Sequence, residues 1–313
     1  MCTAISYKSK DVYFGRNLDL ERSYNESVVI TPRKYEFKMR CVESFKPQYA
    51  MIGMATVIED FPLYYEATNE KGLSMAGLNF PQNAVYYDFK EEKENITPFE
   101  FIPWVLAKCA CIDEVKNLLK NINLVNINFS QELPLTPLHW MISDKNKSIV
   151  VETLKDGIKI SDNPFDVLTN NPPFDYHKIN VSNFMDLSIG PAVNNFSSEF
   201  PLENYSLGMG ALGLPGDFSS ASRFVRAFFV KEKSVSEKDE KSSVNQFFHI
   251  LNSVAMPKGC VWTKNGYEYT RYTSCCNVDK GIYYYMTYDN FEIKITDIKE
   301  FDLNTSKLYL KPL

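Results

Sequence analysis

Short runs of alternating apolar residues occupy both ends of the chain, and the helix-like segments fall in blocks between them. This order excludes much. A doubly wound parallel sheet needs strands and helices to alternate, and few strand–helix–strand units do so here. The pattern predicts an α+β fold of antiparallel sheets covered by helices. The 22 Phe and 19 Tyr residues cluster in the same short runs, which suits a strand-rich core.

The first run reads as a hairpin: a strand at 2–7, a turn at 8–11 and a strand at 12–16. Residues 16–19 then leave the second strand. Further strands are expected at 28–31, 49–56 and 73–78, the last ending at Asn79 after a turn at 69–72. Thr97-Pro98-Phe99-Glu100 has the form of a helix start and predicts a helix to about Cys109, with Thr97 as N-cap. A second helix is expected over 113–120. A hairpin follows at 138–143 and 148–154, continued at 157–160. The short strand at 166–169 is stopped by Pro172 and Pro173, which leaves Asn170 at a strand end. Helices are expected near 175–187, from Ser219 or Ser220 to Val230, and at 244–254. Strands return at 267–273, 281–288 and 291–297. The stretch 190–210 reads as a long ordered loop, and loops of that length usually carry function or an interface. No repeat or linker divides the 313 residues, so 1–313 is expected to form a single domain.

Charge and cysteine usage narrow the partners. A net charge of −5 argues against binding a nucleic-acid backbone. No apolar stretch is long enough to span a bilayer, so no membrane anchor is expected. The N-terminus lacks a basic segment followed by an apolar run; on this reading no secretory signal is present and the expected compartment is the cytoplasm. The seven cysteines are there expected to be free thiols. Cys109 and Cys111 fall on an expected helix, while Cys275 and Cys276 fall on an expected strand and point to opposite faces. With three histidines in the chain, no zinc-type cluster emerges, and neither metal nor cofactor is expected.

The chemistry-bearing residues start at position 2. Residue 2 is small, as removal of an initiator methionine usually requires, and that removal would make Cys2 the N-terminus. Such a residue carries a thiol and an α-amine together; unperturbed, the amine titrates at about 7.7–8.0 and the thiol at about 8.5. The amine is then able to act as general base to its own side chain. The hairpin returns Arg16 and Asp19 toward Cys2, Arg16 to hold a thiolate by charge and Asp19 to accept a hydrogen bond from the amine. Asn79 and Asn170 each follow an apolar strand, and their amides are suited to donate to an oxyanion. Arg223 lies in the first turn of an apolar helix, where a buried cation needs a local partner. Each residue also has an ordinary reading: Cys2 as a small residue opening a strand, Arg16 and Asp19 as a surface ion pair, the asparagines as turn residues, and Arg223 as a solvated cation. His139 and His177 have no neighbouring feature that marks them for catalysis, and His139 reads as a core histidine.

Taken together, several stretches resemble the choloylglycine hydrolase family of N-terminal nucleophile hydrolases, and within it the bile salt hydrolases. They are Cys2-Thr3-Ala4, Gly15-Arg16-Asn17-Leu18-Asp19, Asn69-Glu70-Lys71-Gly72-Leu73, Ala76-Gly77-Leu78-Asn79-Phe80, Leu168-Thr169-Asn170-Asn171-Pro172, and Gly213 through Arg223 into Phe224-Val225-Arg226. The runs Leu138-His139-Trp140 and Gly281-Ile282-Tyr283-Tyr284-Tyr285 are also similar, so the resemblance spans essentially the whole chain. It implies a four-layer αββα sandwich and a mature chain of 2–313. It also implies hydrolysis of glycine- or taurine-conjugated bile salts through a thioester on Cys2. Arg16, Asp19, Asn79, Asn170 and Arg223 are implied as the supporting catalytic set. Leu18, Ile58, Tyr65, Phe129 and Leu133 fall where relatives line the substrate cleft, although each also reads as a core or loop-anchoring residue. The 190–210 loop resembles the segment through which relatives form homotetramers. Relatives that cleave penicillin V or acyl-homoserine lactones give the alternative activity; a non-catalytic steroid- or acyl-binding protein is the alternative of another kind.

Overall fold

A computed structural model describes residues 1–313. The chain opens with β1 (Cys2–Lys8), β2 (Val12–Leu20), β3 (Ser27–Thr31), β4 (Met51–Ile58), β5 (Phe61–Asn69) and β6 (Ser74–Asn79). A short parallel pair, β7 (Glu94–Ile96) and β8 (Ile122–Leu124), brackets helices α1 (Phe101–Lys108) and α2 (Ile112–Leu118). Strands β9 (Leu138–Ser143), β10 (Ser148–Leu154), β11 (Gly157–Asp162) and β12 (Val167–Leu168) follow. Helices α3 (Phe174–Asn180), α4 (Ser220–Lys233) and α5 (Glu240–Asn252) come next. The chain closes with the small hairpin β13 (Trp262–Thr263) and β14 (Gly266–Tyr267), then β15 (Tyr269–Asn277), β16 (Ile282–Thr287), β17 (Asn290–Asp297) and β18 (Tyr309–Pro312).

Two antiparallel sheets form the centre. The six-stranded sheet runs β12-β1-β2-β15-β16-β17 and the eight-stranded sheet β11-β10-β9-β6-β5-β4-β3-β18. Successive strand side chains point to opposite faces, and the eight-stranded sheet uses this alternation to feed two cores. Val28, Ile30, Ile52, Met54, Ala76, Leu78, Met141 and Val150 face the six-stranded sheet and join the larger cluster with residues of β1, β2, α4 and α5. Their neighbours Val29, Met51, Ala55, Met75, Trp140, Ile142, Ile149 and Val151 join α1 and α2 in the second cluster. The layers are therefore helix, sheet, sheet, helix, as the αββα expectation requires. At the centre of the six-stranded sheet, Gly15 permits a close approach: a Cβ there would lie 2.0 Å from the Ser274 carbonyl oxygen.

Several boundaries differ from the sequence reading. β2 does not end at Arg16; it runs on through Leu20, so Arg16 and Asp19 lie within a continuous strand between β1 and β15. The Thr97–Glu100 turn forms, with Glu100 Oε2 accepting from the Thr97 N–H at 3.0 Å, but the α-helix starts only at Phe101. Cys109 and Cys111 flank the break between α1 and α2 instead of sharing a helix. All seven cysteines are free. No helix is long and apolar enough to cross a membrane.

Candidate active site

The hairpin places its residues by register. Cys2 pairs with Leu18 across β1 and β2, Ala4 pairs with Arg16, and Asp19 pairs with Thr270 on β15. Cys2 is buried, and Arg16 and Asp19 have no exposed surface. Burial thereby excludes the surface ion pair that local sequence alone suggests for Arg16 and Asp19.

Arg16 reaches across the inter-sheet core. Its Nη1 donates to the Gly77 carbonyl at 2.6 Å and the Tyr65 carbonyl at 3.0 Å, and its Nε lies 3.8 Å from Glu66 Oε2. Glu66, absent from the sequence reading, accepts hydrogen bonds from the Tyr272 hydroxyl at 2.8 Å and the Tyr283 hydroxyl at 2.6 Å. Burial pushes the Glu66 carboxyl up, opposed by Arg16 and the two tyrosines. The Arg16 guanidinium is held charged against its desolvation, with Cys2 the foremost favourable neighbour. Its Nη2 has no hydrogen-bond partner. A buried cation with an unspent donor beside a thiol suits a thiolate.

Arg223 approaches from the opposite face. Ser219 caps α4, accepting from the Ser222 N–H, and so sets the first turn that carries Arg223. The buried guanidinium donates through Nη1 to the Cys2 carbonyl at 2.6 Å and Thr3 Oγ1 at 2.7 Å, and through Nη2 to Asn170 Oδ1 at 2.7 Å. Its Nε donates to the Phe218 carbonyl at 3.0 Å. The local partners that its unfavourable helix position demands are thus the first residues of the chain.

Asn170 stands where the two-residue β12 ends. Its Oδ1 accepts from the Cys2 backbone nitrogen at 2.8 Å, and its Nδ2 donates to the Asn79 carbonyl at 2.7 Å. An amide nitrogen has two hydrogens, so one remains free. Asn79 ends β6, half-buried and adjacent. Asp19 accepts from the Thr270 hydroxyl through Oδ1 at 2.7 Å, while its buried Oδ2 has no partner.

Met1 extends β1 beyond Cys2. Its ammonium donates to the Asp19 carbonyl at 3.0 Å and pairs with Glu268. Burial lowers the pKa of that ammonium. With Met1 attached, the Cys2 nitrogen is an amide and cannot act as a base. Once Met1 is gone, the same nitrogen is an amine already facing Asn170.

A cleft of about 700 Å³ lies beyond the end of β2, a size that suits a small-molecule ligand. Ile58, Phe129 and Leu133 line it, with Arg22, Tyr24 and Thr56. Phe129 is also anchored, edge-on to Phe99 with ring centroids 5.2 Å apart. Leu18 and Tyr65 are not among the residues that line this hollow. Tyr65 stands behind the wall, its hydroxyl 2.9 Å from Thr56 Oγ1, and links the cleft to Arg16 through its carbonyl. Leu18 is buried opposite Cys2 because its strand does not end at Arg16. A second hollow, of about 450 Å³, is formed by residues 192–209 of the long loop; neither hollow is lined by Cys2, Arg16, Asp19, Asn79, Asn170 or Arg223.

Sequence reasoning gave no role to Thr3, although it lies in the quoted Cys2-Thr3-Ala4 stretch, and missed Glu66, Thr270 and Glu268. Nothing in the local sequence of these three marks them; only strand register and sheet stacking bring them to the site.

The comparisons with known proteins agree with this geometry. Residues 2–311 match the model for linear amide C–N hydrolases, choloylglycine hydrolase family. A bile salt hydrolase/transferase of Lactiplantibacillus plantarum is 54% identical over 314 residues, covering 100% of this chain and 97% of the relative. A bile salt hydrolase/transferase of Clostridium perfringens is 42% identical over 328 residues, covering 98% and 95%. The solved mutant C2A conjugated bile acid hydrolase from Clostridium perfringens superposes with a TM-score of 0.91 at 40% identity, covering 100% of this chain and 97% of that one. Penicillin V acylase from Agrobacterium tumefaciens shares the fold, with a TM-score of 0.78 at 19% identity over 98% of this chain and 90% of that one. The chain belongs to the choloylglycine hydrolase family of linear amide C–N hydrolases.

Proposed function

We propose that this enzyme hydrolyses the amide bond of glycine- or taurine-conjugated bile salts, with Cys2 as nucleophile. The observation that carries the mechanism is the Cys2 nitrogen, held 2.8 Å from Asn170 Oδ1. The substrate class rests on the bile-salt relatives, which align with essentially the whole chain.

In this mechanism the α-amine of the Met1-less chain takes the proton of the Cys2 thiol. The thiolate, faced by Arg16, attacks the amide carbonyl carbon. The developing oxyanion takes the free Asn170 Nδ2 hydrogen and a donor from Asn79, where such donors typically contribute about 3–4 kcal/mol. The protonated amine then delivers its proton to the leaving nitrogen, and the C–N bond breaks to leave a thioester on Cys2. Water, deprotonated by the same amine, releases the free bile acid. The cleft walled by Ile58, Phe129 and Leu133 would take the steroid.

The test is a substrate panel. Purified enzyme is expected to release glycine from glycocholate and taurine from taurocholate faster than it cleaves the side-chain amide of penicillin V. Dominant penicillin V turnover would move the assignment to the acylase branch; steroid binding without amino-acid release would leave a binding protein.

Assembly and compartment belong to the same reading. The loop exposes Val193, Phe196, Phe200, Leu202, Tyr205 and Leu207 within fifteen residues, a density of exposed apolar side chains that suits an interface. It supports a homotetramer. Light scattering should give four chains per particle, and Phe196→Asp with Leu207→Asp should yield smaller particles; a wild-type monomer would contradict the assembly. Seven free thiols suit a reducing cytoplasm. Residues 2–313 would act as one domain, since the site draws on both sheets and α4.

A further inference from the structure

Asn170 carries much of the proposed mechanism, yet its backbone has little to hold it. It follows a strand of two residues, and the prolines at 172 and 173 have no N–H to extend a ladder. What fixes its backbone comes from side chains. Ser220 Oγ accepts the Asn170 N–H at 2.8 Å, and His177 Nε2 lies 3.0 Å from the Asn170 carbonyl oxygen. One residue earlier, His139 Nε2 lies 2.9 Å from the Thr169 carbonyl.

We propose that His177 is a positioning residue for the reaction, donating from Nε2 to the Asn170 carbonyl and so aiming the Asn170 amide at the Cys2 nitrogen and the oxyanion. This inference rests on the amide-hydrolysis reading above. A carbonyl only accepts, so the contact fixes the proton on Nε2. His177 has no exposed surface, and its ring stacks on Phe224 with centroids 4.7 Å apart and planes 15° from parallel. Its Nδ1 is buried with no partner. Burial takes its pKa down to about 4, so the ring is neutral under working conditions.

That orphaned nitrogen separates the roles. A ring needed only for packing would do better as phenylalanine, which stacks equally on Phe224 and buries no unpaired lone pair. What imidazole adds at this position is the donor. The ring touches neither Cys2 nor, by any contact in the structure, the cleft; it acts through Asn170 alone.

The experiment compares His177→Phe, which keeps the ring and loses the donor, with His177→Gln, which keeps a donor. His177→Met, of the same length as glutamine without its amide, replaces the Phe variant should that one not fold. Glycocholate hydrolysis and thermal unfolding are measured on the full chain. His177→Phe or His177→Met should lower kcat by about 10- to 100-fold, as expected for angstrom-scale misplacement of a reacting group, with KM changed less than about twofold. His177→Gln should stay within about threefold of wild-type kcat. Wild-type kcat in a folded donor-free variant overturns the proposal, as does equal loss in the Gln variant. Absence of hydrolysis by the wild-type enzyme would instead overturn the function itself.

Discussion

Replacing Cys2 with alanine is expected to remove amide hydrolysis and leave the fold in place. The substitution deletes one sulfur from a residue that is 3% exposed, without touching its backbone contacts to Asn170 and Arg223. Such a small core truncation costs on the order of 1 kcal/mol, and the thermal midpoint should fall by only a few degrees. The catalytic loss should be about 10⁴-fold or more, because loss of a covalent nucleophile removes the whole route and not one contact within it. The α-amine and Asn170 would remain, with nothing to form the thioester. The same logic separates chain termini. Protein that retains Met1 has the thiol but no free amine at Cys2, so activity across preparations should scale with the fraction that intact-mass measurement finds starting at Cys2. Turnover by folded Cys2→Ala protein would remove Cys2 from the mechanism, whereas full activity in protein that is entirely Met1-retaining would remove its α-amine as the base.

The parts of this site legible in the sequence were those expressed locally. The Cys2 strand, its hairpin partner, the stop after Asn170 and the serine cap before Arg223 all leave short-range marks: alternation, turn residues, paired prolines and a small polar residue ahead of an apolar run. The roles came from the whole-chain resemblance, since each residue alone fitted a bland reading. The length of β2 was not legible because Arg16, Asn17 and Asp19 look like the end of a strand. They remain in it because their polar groups find partners on both faces: Gly77 for Arg16, the Leu251 carbonyl for Asn17 and Thr270 for Asp19. That extension is also why Leu18 is buried and absent from the cleft. Glu66 was invisible for a related reason. A lone acid in an apolar strand suggests a solvent-facing position, whereas here stacking of the two sheets supplies two tyrosine hydroxyls and Arg16.

Arg223→Leu is expected to be the most damaging change outside Cys2, in stability as well as rate. Leucine ends where the guanidinium begins and leaves the Cys2 carbonyl, Thr3 Oγ1, Asn170 Oδ1 and the Phe218 carbonyl without these donors in a buried setting. Removing one partner from a buried charged network typically costs about 3–5 kcal/mol, because the groups left behind were desolvated for it. Melting should therefore drop by roughly 6–20 °C, taking about 2–4 °C per kcal/mol for a chain of this size. The kinetic loss has its own cause. Arg223 braces the first strand against Asn170, so without it the hydrogen bond from the Cys2 nitrogen to Asn170 Oδ1 loses its support, and kcat/KM should fall by about 10²- to 10³-fold. Arg223→Lys separates charge from geometry. Its ammonium keeps the positive charge but cannot span the Cys2 carbonyl, Thr3 and Asn170 as a planar fork does. If charge near Cys2 is what counts, lysine should restore the rate; if the fork counts, lysine should regain part of the stability and little of the rate. The second outcome is expected, because Arg16 already supplies a cation on the other face of β1.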